Sequence, residues 1–399
     1  MAKRVVLAYS GGLDTSVAVR WMIDHWDVEV ITLACDVGQG GDWDEICDRA
    51  RVAGAVEALV ADCREEFARD YVAPALAANA LYEGVYPLVS ALSRPTISRR
   101  LVEAARHHGA QAVAHGCTGK GNDQVRFEVG IQALAPDLEV LAPVREWGMT
   151  REDCIAYAAE HEIPISATVE KLYSIDDNLW GRAIECGEME DPWAEPPAGV
   201  WEMTRQTATE PTELTLTFER GLPVAVDGRT LPLHELIVHL NEVVGSYGFG
   251  RIDMVENRRV GIKSRETYEA PAALALIQAH RDLESLTVER DLAHEKQRLE
   301  PRYAELVYDG QWFSPLRDAL DAFVDSSQRW VTGEVRLRLE PGRCIVVGRR
   351  SDHSLYDYGL ATYDAADSFR HQDAEGFVRL WGLGLRTWAA RQSQRDGQG

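Results

Sequence analysis

Apolar positions in the first 165 residues alternate between two rhythms. Short β-branched runs stand at Arg4–Tyr9, Val28–Cys35, Val56–Ala61, Ala112–His115 and Leu138–Val144 and predict five strands. Between them the spacing lengthens to that of a helix. Thr15–Trp26 sets Val17, Val19, Trp21, Met22 and Trp26 near one face, and Asp44–Ala53, Glu65–Ala80 and Arg99–His108 repeat the pattern. Thr150 with Asp153 reads as a capping box opening a helix that ends near His161. Such alternation needs right-handed crossovers, hence a parallel sheet with helices on both faces. Ligands of these sheets lie beyond the carboxyl ends of the strands.

The pattern changes after residue 165. Asp191–Gly199 is rich in proline and acid and reads as a loop. Glu213–Phe218 alternates, turns at Arg220–Gly221 and continues as Leu222–Val226, which predicts a hairpin. Val335–Leu339 and Cys344–Arg349 predict another around Pro341–Gly342, and Leu233–Tyr247 and Ala272–Arg290 are helical patterns. This half is α+β. Ala374–Arg391 reads as one helix carrying Phe377, Leu380, Trp381, Leu383, Leu385 and Trp388. That stripe either packs on its own domain or embraces a neighbouring subunit. The expected division is 1–165, 166–372 and a terminal helix at 373–399.

Composition narrows the function. The 399 residues are 45% hydrophobic and 27% charged, which suits a folded globular protein, and the net charge is −22. A chain this acidic repels phosphate backbones, so nucleic acid is not an expected partner. Cys35, Cys47, Cys63, Cys117, Cys154, Cys186 and Cys344 are scattered without a CxxC pair, against a disulfide framework or a cysteine-rich zinc site. The first apolar run, Val5–Ala8, is too short for a signal peptide, and no stretch approaches a membrane span. A cytoplasmic protein without a membrane partner is expected.

The chemistry starts after the first strand. Ser10-Gly11-Gly12-Leu13-Asp14-Thr15-Ser16 joins two glycines to hydroxyls at a helix start, which makes an anion cradle. It lacks the lysine of a Walker loop and is not GxGxxG. After the fourth strand, the run from His115 to Glu128 (HGCTGKGNDQVRFE) is a second glycine-rich loop. It places an amide, a carboxylate and a guanidinium in close succession, a mixture that suits an amino-acid zwitterion.

The first loop resembles the pyrophosphatase loop of enzymes that cleave ATP between the α and β phosphates. Together with the 115–128 string, the chain resembles the argininosuccinate synthase family. Further matches are Tyr82–Leu88, Ser93–Pro95, Tyr173–Trp180, Gly250–Arg258 and Lys263–Pro271. The resemblance implies an α/β fold. Its parts are an N-terminal parallel five-stranded sheet like that of adenine nucleotide alpha hydrolases, an α+β synthetase domain and a C-terminal oligomerisation helix. It implies a carbon–nitrogen ligase of arginine biosynthesis and the urea cycle. This ligase joins L-citrulline to L-aspartate through citrullyl-AMP, with ATP as substrate and Mg²⁺ on the phosphates. It also implies a homotetramer.

By the same resemblance, Ala8, Tyr9, Ser10, Gly11, Gly12, Leu13, Asp14, Thr15, Ser16, Ala34 and Gly116 bind ATP. Tyr86, Ser90, Asn122, Arg126, Ser174, Ala183, Glu256 and Tyr268 face citrulline. Thr118, Asn122 and Asp123 face aspartate. Asp14, Asp123 and Arg94 carry catalysis, with Asp123 orienting the amine and a candidate to accept its proton, and Arg94 toward phosphate or solvent. No residue is assigned as a resident metal ligand. Glu256 could equally form a surface ion pair with Arg258 or Arg259. Ala91 and Ala183 stand where the family commonly has serine, at about 0.5–1.5 kcal/mol per lost hydroxyl contact. Two other readings predict different features. A tRNA- or nucleotide-modifying relative would show a basic surface or a cysteine pair, and a nucleotide sensor would not need the Asn122–Arg126 cluster.

Overall fold

The computed structural model describes residues 3–164 and 173–396, so the expected boundary at 165/166 lies outside the described residues. The chain forms two compact units, Met1–His353 and Ser354–Gly399. In the first, strands β1 (Lys3–Ala8), β2 (Val28–Asp36), β3 (Glu57–Asp62), β4 (Ala112–Ala114) and β5 (Glu139–Leu141) form a parallel sheet of order β3-β2-β1-β4-β5. Both faces are covered. Val5 and Leu7 pack with Val17, Met22 and Ala158, while Val6 and Ile31 pack with Leu92 and Leu101 on the other side. The chain winds outward from β1 to β3, then returns to β4. This puts the switch point, and the loops after β1 and β4, side by side.

The helices match the expected pattern with informative exceptions. Leu13–Trp26 and Trp43–Val52 stand as expected, and the capping box of Thr150 and Asp153 opens Arg151–Glu160. The expected helix Glu65–Ala80 is broken in register. It runs as Arg64–Glu66, a wide-turned Phe67–Val72 and Ala73–Ala77. Pro74 has no N–H to donate four residues back, and Ala73 N–H reaches Ala68 O five back. The helix expected from Arg99 begins at Val89, because Ser90, Ser93, Arg94 and Pro95 hide its first turns from an apolar pattern.

Among the described residues nine further strands follow: β6 (Ser174–Asn178), β7 (Gly181–Glu185), β8 (Thr212–Glu219), β9 (Leu222–Val226), β10 (Arg229–Thr230), β11 (Arg251–Asn257), β12 (Lys263–Glu269), β13 (Gly333–Glu340) and β14 (Arg343–Arg350). Both expected hairpins form, and β8 pairs with β13 to join them in the antiparallel order β10-β9-β8-β13-β14. The antiparallel sheet β11-β12-β7-β6 was not expected from the pattern, since SIDDN and KSRETYE show no apolar alternation. The helix expected over Ala272–Arg290 ends at Thr287, and a second, Arg290–Tyr308, starts behind the Glu289 carboxylate cap. Pro315–Ser327, capped by Ser314, is likewise additional.

In the second unit the single terminal helix is two, His371–Trp381 and Leu383–Asp396, parted at Gly382. Phe377, Leu380, Trp381, Leu385 and Trp388 are all exposed there.

Candidate active site

The first cluster sits at the carboxyl edge of the parallel sheet. β1 ends at Ala8, and Gly11 turns the chain at φ +72°, a conformation open to glycine. The loop braces itself. Tyr9 hydroxyl and Ser16 Oγ lie 2.9 Å apart, Ser10 Oγ and Thr15 Oγ1 lie 3.1 Å apart, and Gly12 N–H donates to Ser10 Oγ at 3.3 Å. Arg49 donates to the Gly11 carbonyl. Gly12 caps Leu13–Trp26 without a side-chain bond, leaving the first-turn N–H groups and the helix dipole for an anion. Burial pushes the Asp14 carboxyl up, opposed by Arg151. Gly116 brings the β4 loop against this cradle; a Cβ there would meet Thr15 Cγ2 at 2.9 Å. Ala34 is buried in β2, one residue beyond the Ala8–Leu33 pairing.

The second cluster is built on one face of the sheet β11-β12-β7-β6. Side chains alternate along strands. Ser174 and Asp176 of β6, Ala183 and Glu185 of β7, Ser264, Glu266 and Tyr268 of β12 and Glu256 of β11 therefore share a face. The register aligns Tyr268, Ala183 and Asp176 across it. Asn178 Nδ2 donates to Val89 O and Trp180 Nε1 to Pro87 O, both at 2.8 Å, which seats the sheet beside the start of Val89–His107.

Arg94, from that helix, reaches both sides of the gap. Its Nη2 lies 2.6 Å from Asp123 Oδ2 and 2.6 Å from Asp176 Oδ2. Arg126 Nη1 takes the other Asp123 oxygen at 2.8 Å, and Arg126 Nε donates to Tyr308 O at 2.9 Å. Burial alone would favour the neutral acid, but Arg94 and Arg126 override it and hold Asp123 below the usual carboxylate range. For Arg94, burial works against the charge, and Asp123 and Asp176 more than reverse it. Arg94 is therefore an ion-paired centre, not a solvated helix-start arginine.

A tyrosine box closes the far end. Tyr86 stacks on Tyr268 with centroids 4.1 Å apart, and Tyr82 stacks on Tyr308 at 3.6 Å. Tyr86 hydroxyl receives Ser90 N–H at 3.0 Å. Glu256 is 3% exposed, and accepts from Tyr308 hydroxyl at 2.7 Å and Tyr268 hydroxyl at 3.0 Å. Asn122 links the parts. Its Nδ2 donates to Tyr308 hydroxyl at 2.6 Å and its Oδ1 accepts Arg259 N–H at 2.9 Å. Burial pushes Glu256 up, with the two hydroxyls and Arg126 opposing. Its ring of partners replaces the expected alternative of a surface pair. Arg258 instead pairs with Glu185 at 3.1 Å and with Glu266.

The structure thus brings together Arg94, Asn122, Asp123 and Arg126, and joins Tyr86, Ser90, Glu256 and Tyr268 to them. Ala183 is buried in the same face, while Ser174 and Thr118 are exposed at its edge and on the β4 loop. Residues that sequence reasoning gave no role are Asp176, Tyr308, Glu266 and Glu185, and Arg258 entered it only as a possible partner of Glu256. Alternation from Ser174 and Ala183 could have found Asp176 and Glu185. Nothing in the pattern pointed to Tyr308, the last residue of an unexpected helix.

Comparison with known proteins agrees with this layout. Residues 4–164 match the model of the arginosuccinate synthase N-terminal HUP domain, and residues 173–388 match that of the arginosuccinate synthase C-terminal domain. The argininosuccinate synthase of Dictyoglomus thermophilum is 54% identical over 394 residues, 99% of each chain. That of Brevibacillus brevis is 54% identical, covering 98% of this chain and 94% of its own, and that of Trichodesmium erythraeum is 55% identical over 98% of each. The NAD⁺ synthetase structure from Burkholderia pseudomallei is 17% identical with a TM-score of 0.26, covering 42% of this chain and 61% of its own, a likeness too slight to argue from. Spanned nearly end to end by both domain models and by these relatives, the chain belongs to the argininosuccinate synthase family and is an ATP-dependent ligase.

Proposed function

We propose that the two clusters divide the reaction ATP + L-citrulline + L-aspartate → argininosuccinate + AMP + pyrophosphate between them. The loop Ala8–Ser16, Ala34 and Gly116 take ATP. The open first-turn N–H groups receive the charge that gathers on the departing pyrophosphate, and the hydroxyls of Ser10, Thr15 and Ser16 brace the loop around it. Mg²⁺, carried on the phosphates with Asp14 beside them, would neutralise that charge.

Citrulline lies along the second cluster. Glu256, Tyr86, Tyr268 and Arg126 hold its amino-acid end, and Ser90, Ser174, Ala183 and Asn122 line its path. Its ureido oxygen attacks the α-phosphorus, and the α–β bond breaks. Thr118, Asn122 and Asp123 hold aspartate, whose amine then attacks the ureido carbon as AMP leaves. Arg94 holds Asp123 and Asp176 in place and screens the anions that meet there. The observation that carries this reading is the Arg94–Asp123–Arg126 bridge. It fixes an ionised carboxylate at the end of the loop that also carries Thr118 and Asn122.

The experiment is positional isotope exchange. With oxygen-18 in the α–β bridge of ATP, citrulline without aspartate should scramble the label through reversible adenylation. Absence of scrambling with citrulline bound would contradict the two-step reading. Residues 1–165 then form the nucleotide domain and 166–372 the synthetase domain. The terminal helices 373–399 dock on other copies to make a tetramer in the cytoplasm, which their exposed tryptophans support.

A further inference from the structure

The reaction needs a base. Aspartate arrives as an ammonium ion, which cannot attack until a proton is removed. The arrangement of carboxylates decides which group can take it. Asp123 accepts from two guanidinium groups and is held ionised, a poor proton acceptor. Asp176 is bound by Arg94. Glu256 is occupied by two tyrosine hydroxyls. Glu266 is 1% exposed and bonded to Arg258.

Glu185 differs from all four. It ends β7, opposite Ser174 of β6, and its side chain is 42% open. It has one ion pair, to Arg258 Nη2 at 3.1 Å, and shares that arginine with Glu266. Arg258 Nη1 also donates to Lys120 O at 3.3 Å, and the next residue's N–H holds Asn122. The same corner therefore ties Glu185 to the loop that carries Thr118, Asn122 and Asp123.

We propose that Glu185 accepts the proton from the ammonium of aspartate before the amine attacks citrullyl-AMP. This rests on the reading of the 118–123 loop as the aspartate site. The step balances. One proton passes from the ammonium to the Glu185 carboxylate. The freed electron pair forms the C–N bond, the bond from the ureido carbon to the AMP oxygen breaks, and that oxygen leaves with its pair. The second amine proton goes to the departing phosphate, and Glu185 later returns its own to water. The groups facing Glu185 suit the role. Desolvation of its inner part, Glu266 and Asp123 push its carboxyl above the usual carboxylate range and Arg258 restrains it, so it takes a proton more readily than an open carboxylate.

The test uses the full-length protein with Glu185→Gln and Glu185→Asp, following argininosuccinate formation from pH 5.5 to 9.5. Oxygen-18 scrambling with citrulline alone is measured in parallel. Glu185→Gln should lower kcat at pH 7 by about 100- to 1,000-fold, the usual worth of a general base, and keep the scrambling. The acidic limb of the unsubstituted protein should be lost, the rate instead climbing with the free-amine fraction, while Glu185→Asp keeps the limb. An unchanged acidic limb with a raised KM would overturn the proposal and make Glu185 a substrate holder. Loss of scrambling in the folded Gln variant would also overturn it, by moving the residue to the first step. No scrambling by the unsubstituted protein would instead remove the parent reading, and this proposal with it.

Discussion

Glu256 shows what the site costs at the level of one residue. Its carboxylate is buried between hydroxyls, and burial raises its pKa. Replacing it with Gln should leave the Tm of the ligand-free protein unchanged or higher, because a desolvated charge is removed. The same change should raise the KM for citrulline about 10- to 100-fold, matching the roughly 1.5–3 kcal/mol of a charge-assisted hydrogen bond. An unaltered KM would remove Glu256 from the citrulline site. Asp177 offers a stability reading. Burial, Asp176, Glu202 and Glu269 raise it to about 6 against the pull of Arg182. Its folded pKa exceeds its unfolded value, so its contribution is full below about 4 and fades as pH rises to about 6. Denaturant titrations should show Asp177→Asn flattening that decline; an unchanged slope would contradict the assignment.

At the scale of elements, the close approach of the loops after β1 and β4 makes the cradle proposed for the nucleotide. Gly116→Ala puts a methyl 2.9 Å from Thr15 Cγ2 and should weaken ATP binding about 10-fold with the fold intact. Adding Thr15→Ser removes the opposing methyl and should restore most of the affinity. A double variant no better than the single one would show that the contact is not the cause. These elements also explain what the sequence could show. The central parallel strands β1, β2 and β4 were legible because they are buried on both faces and read as apolar runs. The cradle was legible because a strand, paired glycines and hydroxyls have few other uses. The sheet β11-β12-β7-β6 was not, since its site face is polar: Asp176, Glu185, Glu256 and Glu266 occupy positions where an ordinary strand shows apolar side chains. Helix Arg290–Tyr308 was not expected, because its outward face is crowded with charged residues and the apolar positions Leu292, Leu299, Tyr303, Leu306 and Val307 are sparse. The roles in the second cluster came from family resemblance, not from periodicity.

At the scale of the whole molecule both clusters lie in the unit Met1–His353, while the unit Ser354–Gly399 carries exposed apolar side chains. Phe377, Leu380, Trp381, Leu385 and Trp388 are more exposed than a solitary helix pair tolerates in water. Truncation after Asp373 should give smaller species by light scattering; an unchanged assembly would show that the helices do not join copies. The central claim is that this chain couples α–β cleavage of ATP to joining two amino acids. Pyrophosphate release with ATP and Mg²⁺ measures it directly, with citrulline alone, aspartate alone and both. Sustained release is expected only with both, with one AMP per pyrophosphate and a product with the mass of argininosuccinate. ATP binding without pyrophosphate release under any combination would contradict it.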